Sequence, residues 1–410
     1  MPYSSCYLNL PLFIMPKPIA LLIPISEHNI AQLYNCLTTK ADAVVLMASS
    51  HFATSRSRFC TVLNALQPGI TIIELDLPED AENYMALHHF ALHHLQPLST
   101  TYQLELNGTG GTKVIPLAFI DSVTIGKVYY KGQQHTHLQC WQPGKPNSYH
   151  ELALHAPISA DKALALYVSK TVPGNPRANP FEQDKTALCL AASMWQQYAD
   201  PTSPMHWLAA QLAQSAWADK TNPSTSVNLT IPPEQLNNPD WQAWFQGLST
   251  FSQAQLVLVQ NSIVVQNSHR TASLAYQFKR WLSGDWLEQL VQSWLREQFA
   301  ADQLLCGVKP SGSGEQGDSR ELDFICFHNT AGYVIETKVT TEPGQSANKM
   351  VQQLISLAEN FGKLRKVLLL SPLFFQQKPD AHALEQFKKY CKGHNVTLCH
   401  DKNSLLSLFK

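Results

Sequence analysis

Three ionisable residues near the C-terminus are spaced for phosphoester chemistry. Glu321-Leu322-Asp323-Phe324-Ile325-Cys326-Phe327 leads through His328 to Ala331 into Gly332-Tyr333-Val334-Ile335-Glu336-Thr337-Lys338. This reads as a hairpin whose strands are apolar on both faces, and strands of that kind are buried. If Phe327 opposes Gly332, Asp323 opposes Glu336 with Cβ atoms about 5 Å apart. Facing carboxylates on a buried sheet repel, so they share a proton or bridge a divalent cation. Such oxygen ligands suit Mg²⁺ and Mn²⁺ equally. Lys338 falls two residues beyond Glu336, on the same face. There it can orient or deprotonate a metal-bound water or stabilise a pentavalent phosphorane. Thr337 is expected to point away. The plainer reading is a surface hairpin in which Lys338 neutralises Glu336; the apolar neighbours on both faces count against it.

A second constellation suits an anion or a ribose. The strand Tyr102 to Leu106 runs into Asn107-Gly108-Thr109-Gly110-Gly111-Thr112-Lys113 and then an apolar helix from Val114 to Ile120. Its glycines free backbone N–H groups to converge on a ligand at a helix N-terminus. A phosphate-binding P-loop requires Gly-Lys-Ser/Thr, whereas Thr112 precedes Lys113 here. A dinucleotide fingerprint follows the first strand, and this loop follows the fourth. A tight turn without a ligand is the alternative. His88, His89, His93 and His94 include i,i+4 spacings, but no carboxylate or cysteine falls suitably nearby to complete a zinc site, so an ordinary amphipathic helix is favoured.

The elements that must position these residues follow from alternation. Ile19 to Ile23, Ala43 to Met47, Ile70 to Leu75, Tyr102 to Leu106 and Lys127 to Lys131 read as strands with helices between them, a parallel Rossmann-type sheet that binds ligands at its strands' carboxyl ends. A hairpin over Val128 to Trp141 precedes the Pro/Gly stretch Gln142 to Asn147, which marks a boundary. Residues 150 to 250 are mostly helical in pattern, and Leu256 to Gln260 with Ile263 to Gln266 form a short hairpin. Asp285 and Glu288 can cap a helix with an apolar stripe at Leu287, Leu290, Val291, Trp294 and Leu295. Helices at Lys349 to Phe361 and His382 to Tyr390 and strands at Lys366 to Ser371 and Val396 to His400 complete the chain. Gln352 and Gln353 read more readily as a solvated helix face than as substrate contacts.

Composition excludes some classes. The 410 residues are 44% hydrophobic and 15% charged with a formal charge of −1, too apolar for a disordered chain and too neutral to attract polyanions by bulk field. Residues 271–410 carry 16 Lys/Arg against 14 Asp/Glu, a slight excess that decides nothing alone. Nine scattered cysteines without a C-x-x-C pair indicate neither a disulfide framework nor a zinc ribbon and fit a reducing cytoplasm. No apolar run reaches the roughly 18 residues of a membrane span, and the opening stretch lacks the basic region of a signal peptide.

Together these motifs resemble a known family. The Asp-x12-Glu-Thr-Lys hairpin is similar to the PD-(D/E)xK motif of restriction-endonuclease-like nucleases, with Arg320 before Glu321-Leu322-Asp323 where an asparagine is usual. A strand ending in Asn-x-Thr-Gly-Gly-Thr-Lys, N-terminal to Gly284-Asp285-Trp286-Leu287-Glu288, Glu-Leu-Asp and Glu-x-Lys in order, resembles the CARF-domain nucleases of type III CRISPR systems. The resemblance implies a Rossmann-like CARF sensor over residues 15–147, a mostly helical linker region over 148–270 and an α/β/α nuclease domain over 271–410. It implies that Asn107, Gly108, Thr109, Gly110, Gly111, Thr112 and Lys113, with Ser26, His28 and Asn29, line a cyclic oligoadenylate, expected to be cyclic tetra-adenylate. Asp323 and Glu336, with Glu288 from the first nuclease helix, would hold Mg²⁺ or Mn²⁺. The implied protein is a cytoplasmic homodimer, off the membrane, that cleaves single-stranded RNA, DNA or both when its activator binds. Lys363, Arg365, Lys366, Lys388, Lys389 and Lys392 are candidate backbone contacts, or simply a solvated basic face. The rival readings are a ligand-responsive nucleic-acid-binding regulator without catalysis, using the 256–266 hairpin as a wing, and a constitutive repair or restriction nuclease.

Overall fold

The computed structural model describes residues 16–132, 135–155, 157–168, 171–172, 185–197, 200, 202–205, 207–208, 227–251, 256–259, 262–265, 281–310, 321–339, 347–359, 361, 364–376 and 381–410. Arg320 and Lys363 lie outside the described residues. The chain divides into two compact units, Met1–Ala156 and Pro157–Lys410.

In the first unit the apolar runs become β1 (Ile19–Pro24), β2 (Ala43–Ala48), β3 (Thr71–Asp76), β4 (Gln103–Asn107), β5 (Val128–Tyr130), β6 (His137–Trp141) and β7 (His150–Ala153). They form one sheet in the order β3-β2-β1-β4-β5-β6-β7. The pairings from β3 to β5 are parallel, and β6 and β7 add antiparallel. Every residue of β2 is buried, as an unbroken apolar run in a helix-covered parallel sheet requires. The helices Tyr84–Phe90 and Val114–Ser122 pack Leu87, Phe90, Ala118 and Phe119 onto one face. The Pro/Gly stretch after β6 does not end this unit. It is a turn, with Gly144 and Asn147 at positive φ, that returns the chain as β7. The strand order reverses between β1 and β4, and doubly wound sheets bind ligands outside that point.

In the second unit, Thr171–Val172 is β8. A three-stranded antiparallel sheet follows, of β9 (Val227–Thr230), β10 (Leu256–Val259) and β11 (Ser262–Val265). The expected hairpin is present, and β9 pairs with β11, so the middle region is not simply helical. The last sheet contains β12 (Leu304–Pro310), β13 (Leu322–His328), β14 (Ala331–Lys338), β15 (Arg365–Leu370) and β16 (Val396–Cys399), ordered β16-β15-β14-β13-β12-β8. The hairpin β13–β14 is antiparallel, whereas β14, β15 and β16 run parallel. The helix Trp286–Leu295 buries Leu287, Leu290, Val291, Trp294 and Leu295 in a core shared with Phe324, Ile335 and Leu369. The helices Ala347–Glu359 and Ala381–Gly393 also form near the expected bounds. Among the described residues no helix is long and apolar enough to cross a membrane.

Candidate functional site

The β13–β14 hairpin has the expected register. Phe327 pairs with Gly332, and the ladder runs to Phe324 opposite Ile335, so Asp323 and Glu336 are the next opposed positions. Gly332 fits closely there: a Cβ would lie 2.5 Å from the Leu364 side chain and 2.7 Å from the Phe327 ring, so those side chains would have to shift. Both carboxylates are buried, Asp323 at 8% and Glu336 at 7% exposure. Lys338 Nζ donates to Glu336 Oε1 at 2.6 Å, while Glu336 Oε2 is buried without a hydrogen-bond partner.

Thr337 does not point away from this cluster. Its backbone N–H and its hydroxyl both donate to Asp323 Oδ2, at 2.7 and 2.8 Å. Alternation along a strand puts neighbours on opposite faces, but that rule presumes a continuing ladder. Between β13 and β14 no pair forms past Phe324–Ile335, although β14 stays paired with β15 through Lys338, so on the β13 side the Asp323 carboxylate takes the Thr337 N–H in place of a strand carbonyl. Ser371 fixes the other side: its N–H donates to the Lys338 carbonyl at 3.0 Å and its hydroxyl to that of Val339.

Glu288 belongs electrostatically to the same cluster. Burial, then Asp285 and Glu336, push its carboxyl up to about 7. Burial, then Glu336 and Glu288, raise Asp323 well above the usual range, against the Thr337 N–H. For Lys338, burial alone would lower the ammonium; the charges of Glu336 and Asp323 and the hydrogen bond to Glu336 outweigh it and hold it charged. The capping box expected of Asp285 and Glu288 does not form: Asp285 is the N-cap but makes no side-chain capping bond. A π-helical turn, Trp281–Asp285, leads into this helix, and Trp281 Nε1 donates to the buried Gln289 Oε1 at 2.9 Å. Gln352 is exposed and bonds to Tyr390, as a surface side chain would.

Among the described residues no three His, Cys, Asp or Glu side chains form a ready-made metal cage, the four histidines near residue 90 included. A Mg²⁺-type site does not require one, because that ion keeps several waters and is bound through one or two carboxylates plus substrate phosphates. The chemistry fits: hard oxygen donors, a buried carboxylate oxygen without a partner, and an Asp323 carboxyl whose proton affinity is raised by burial and then by its neighbouring carboxylates.

In the first unit, the expected loops meet where the strand order reverses. The loop after β1 is closed by Asn29: Ser26 N–H donates to its Oδ1 at 3.0 Å, and its Nδ2 donates to the Ser26 carbonyl at 2.8 Å. Ser26 Oγ accepts from His28 N–H at 3.3 Å and Gln32 Nε2 at 3.0 Å. After β4, Asn107 Oδ1 accepts the Thr109 N–H at 2.8 Å, Thr109 Oγ1 accepts the Lys131 N–H at 2.8 Å, and the Thr112 hydroxyl donates to the Ala81 carbonyl at 3.0 Å. These side chains shape the loop. Gly110 sits so close to the β1 exit that a Cβ would fall 2.5 Å from the Pro24 carbonyl oxygen and closer still to Gln32, and Gly111 has φ +76°. The N–H groups of Gly110, Gly111 and Thr112 have no hydrogen bond among the described residues, and the side chains of Lys113 and His28 are exposed. Beneath the loop, Gln32 Oε1, Asn35 Oδ1 and Asn107 Nδ2 are buried without partners. Gln32, Asn35 and Lys131 were not singled out from the sequence. A glutamine and an asparagine one turn apart on a buried helix were the available signal for the first two.

No protein-family model matches the chain, and no curated protein sequence does. Solved structures do resemble it. Protein VC1899 from Vibrio cholerae aligns at TM-score 0.68 and 15% identity over 95% of this chain and 98% of its own. Can2 from Sulfobacillus thermosulfidooxidans, solved in complex with cyclic tetra-adenylate, aligns at 0.65 and 16% over 96% and 99%. Identities this low establish fold. The chain therefore shares its fold with these structures nearly end to end: a Rossmann-like unit built on a largely parallel sheet, followed by a second α/β unit.

Proposed function

We propose that this protein is a cyclic-oligoadenylate-activated, divalent-metal-dependent nuclease of type III CRISPR defence, cleaving single-stranded RNA, DNA or both in the cytoplasm. The observation that carries the reading is the buried Asp323, Glu336 and Lys338 set, with Glu288 beside it, in a chain sharing its fold with a cyclic tetra-adenylate-bound protein. Asp323 and Glu336 would hold Mg²⁺ or Mn²⁺ with help from Glu288. The ion would supply Lewis acidity at the scissile phosphate. Lys338, kept charged by its neighbours, would orient the attacking water and offset charge on the phosphorane.

The activator site would lie at the β1/β4 reversal, where the free N–H groups of Gly110, Gly111 and Thr112 and the Lys113 ammonium suit phosphate. Met85 and Leu117 are 57% and 59% exposed on packed helices of the first unit, with Tyr84 and Leu92 also exposed. An apolar patch of this kind suits a second copy of the chain. An isologous pairing across it would give a symmetric ring two identical half-sites. The regulator reading loses support in the middle region. Residues 185–265 contain Lys185 and Lys220 against Asp200, Asp219, Glu234 and Asp240, which is no footprint for a polyanion.

The test is cleavage of labelled single-stranded RNA and DNA by purified protein with Mn²⁺, titrated with cyclic tetra-adenylate. Activity that depends on the ring supports the proposal. Activity without it identifies a constitutive nuclease, and ring binding without cleavage of either substrate identifies a regulator.

A further inference from the structure

Each of the two central carboxylates has one oxygen engaged by the protein and one left over. Asp323 Oδ2 accepts two hydrogen bonds from Thr337, one from the N–H and one from the hydroxyl, which saturates its lone pairs. Glu336 Oε1 accepts the Lys338 ammonium, whereas Oε2 has no partner. No hydrogen bond reaches Asp323 Oδ1 among the described residues.

We infer that the Thr337 hydroxyl is a positioning group that makes Asp323 a one-oxygen ligand and thereby biases the site toward a small octahedral cation over Ca²⁺. The inference rests on the nuclease reading of the site. Its physical basis is the difference between the ions. Mg²⁺ and Mn²⁺ accept near-octahedral sites with one oxygen from each of one or two carboxylates, whereas Ca²⁺ takes 6–8 oxygens at longer range and readily uses both oxygens of a carboxylate. Binding Ca²⁺ through both oxygens of Asp323 would require Oδ2 to give up two hydrogen bonds, one from the hydroxyl of a residue whose strand stays paired with β15. The backbone N–H remains in any variant, so the hydroxyl is the part that substitution can remove. Threonine also suits the position structurally: its β-branch is compatible with a strand, and its hydroxyl is the only side-chain donor to Asp323 among the described residues.

The test compares wild type, Thr337→Val and Thr337→Ser, each checked for a folded spectrum, by competition of Ca²⁺ against Mn²⁺ measured through Mn²⁺ electron paramagnetic resonance. A hydrogen bond to a charged acceptor contributes about 1.5–3 kcal/mol, so removing it should shift the Mn²⁺/Ca²⁺ affinity ratio toward Ca²⁺ by about tenfold or more. Thr337→Ser should keep the wild-type ratio, because it keeps the hydroxyl. An unchanged ratio in folded Thr337→Val, or a shifted ratio in Thr337→Ser, overturns the inference while leaving the metal site standing. If wild type binds neither ion, or Asp323→Asn binds Mn²⁺ as tightly as wild type, the nuclease reading itself falls.

Discussion

Replacing Glu288 with glutamine should make the ion-free protein more stable at pH 8 and change it far less at pH 5. Glu288 rises from 4.5 to about 7 because burial, Asp285 and Glu336 all disfavour its charge. The folded chain thus keeps a proton that the unfolded chain releases above pH 4.5. Stability therefore falls as pH climbs from 4.5 to about 7 and is level above that, where the whole penalty is present. At 1.36 kcal/mol per tenfold change in proton affinity, the penalty is on the order of 3 kcal/mol, part of it shared with the neighbouring carboxylates. Glutamine carries no charge and escapes it at nearly the same size. Urea unfolding in EDTA is the assay. Tryptophan fluorescence reports the second unit selectively, since all nine tryptophans but Trp141 lie beyond Ala156. With a slope of about 1–3 kcal/mol/M, the variant's midpoint at pH 8 should move up by about 1 M or more. Mn²⁺ should then narrow the gap by stabilising wild type preferentially. A variant no more stable at pH 8 than at pH 5, relative to wild type, would refute the electrostatic assignment of Glu288.

Glu336→Ala should abolish cleavage and leave calorimetric binding of cyclic tetra-adenylate intact. Lys113→Ala should weaken ring binding, requiring more activator for half-maximal cleavage, while the activity at saturating ring is retained. If both variants lost both properties, misfolding would be the explanation. Gly110→Ala should destabilise the first unit by about 1–3 kcal/mol, because a Cβ has no room against Gln32 and the Pro24 carbonyl; thermal unfolding monitored by circular dichroism would register it.

Much of this arrangement is legible in the sequence because it follows from periodicity. The β13–β14 register comes from the strand period of two and a four-residue turn, and the glycine-rich loop follows from its position after the fourth strand. What cannot be read there depends on where regular geometry stops. Alternation separates Thr337 from Asp323 because a pattern along one strand does not say where its pairing with a given neighbour ends. Asp285 and Glu288 have the spacing of a capping box, and only the burial of Glu288 and its repulsion by Glu336, a residue distant in sequence, set it apart from a cap. The turn at Gln142 to Asn147 has the composition of a linker, and its role as a β-turn depends on β7 finding the sheet edge. The loop residues Asn29, Asn107, Thr109 and Thr112 are expected from the sequence to face a ligand. Their hydrogen bonds also hold the loop together, a role that the composition of the segment does not reveal.

The helix Val114–Ser122 begins at the glycine-rich loop and carries Leu117 on its exposed side. One rigid rod of about 1.5 Å rise per residue thus joins the proposed activator loop to the exposed Leu117. On the proposed dimer, subunit pairing and ring capture would be two readings of a single free energy, each strengthening the other by the same factor. Apparent affinity for the ring would then rise with protein concentration, making the abundance of the protein itself part of the threshold at which it responds.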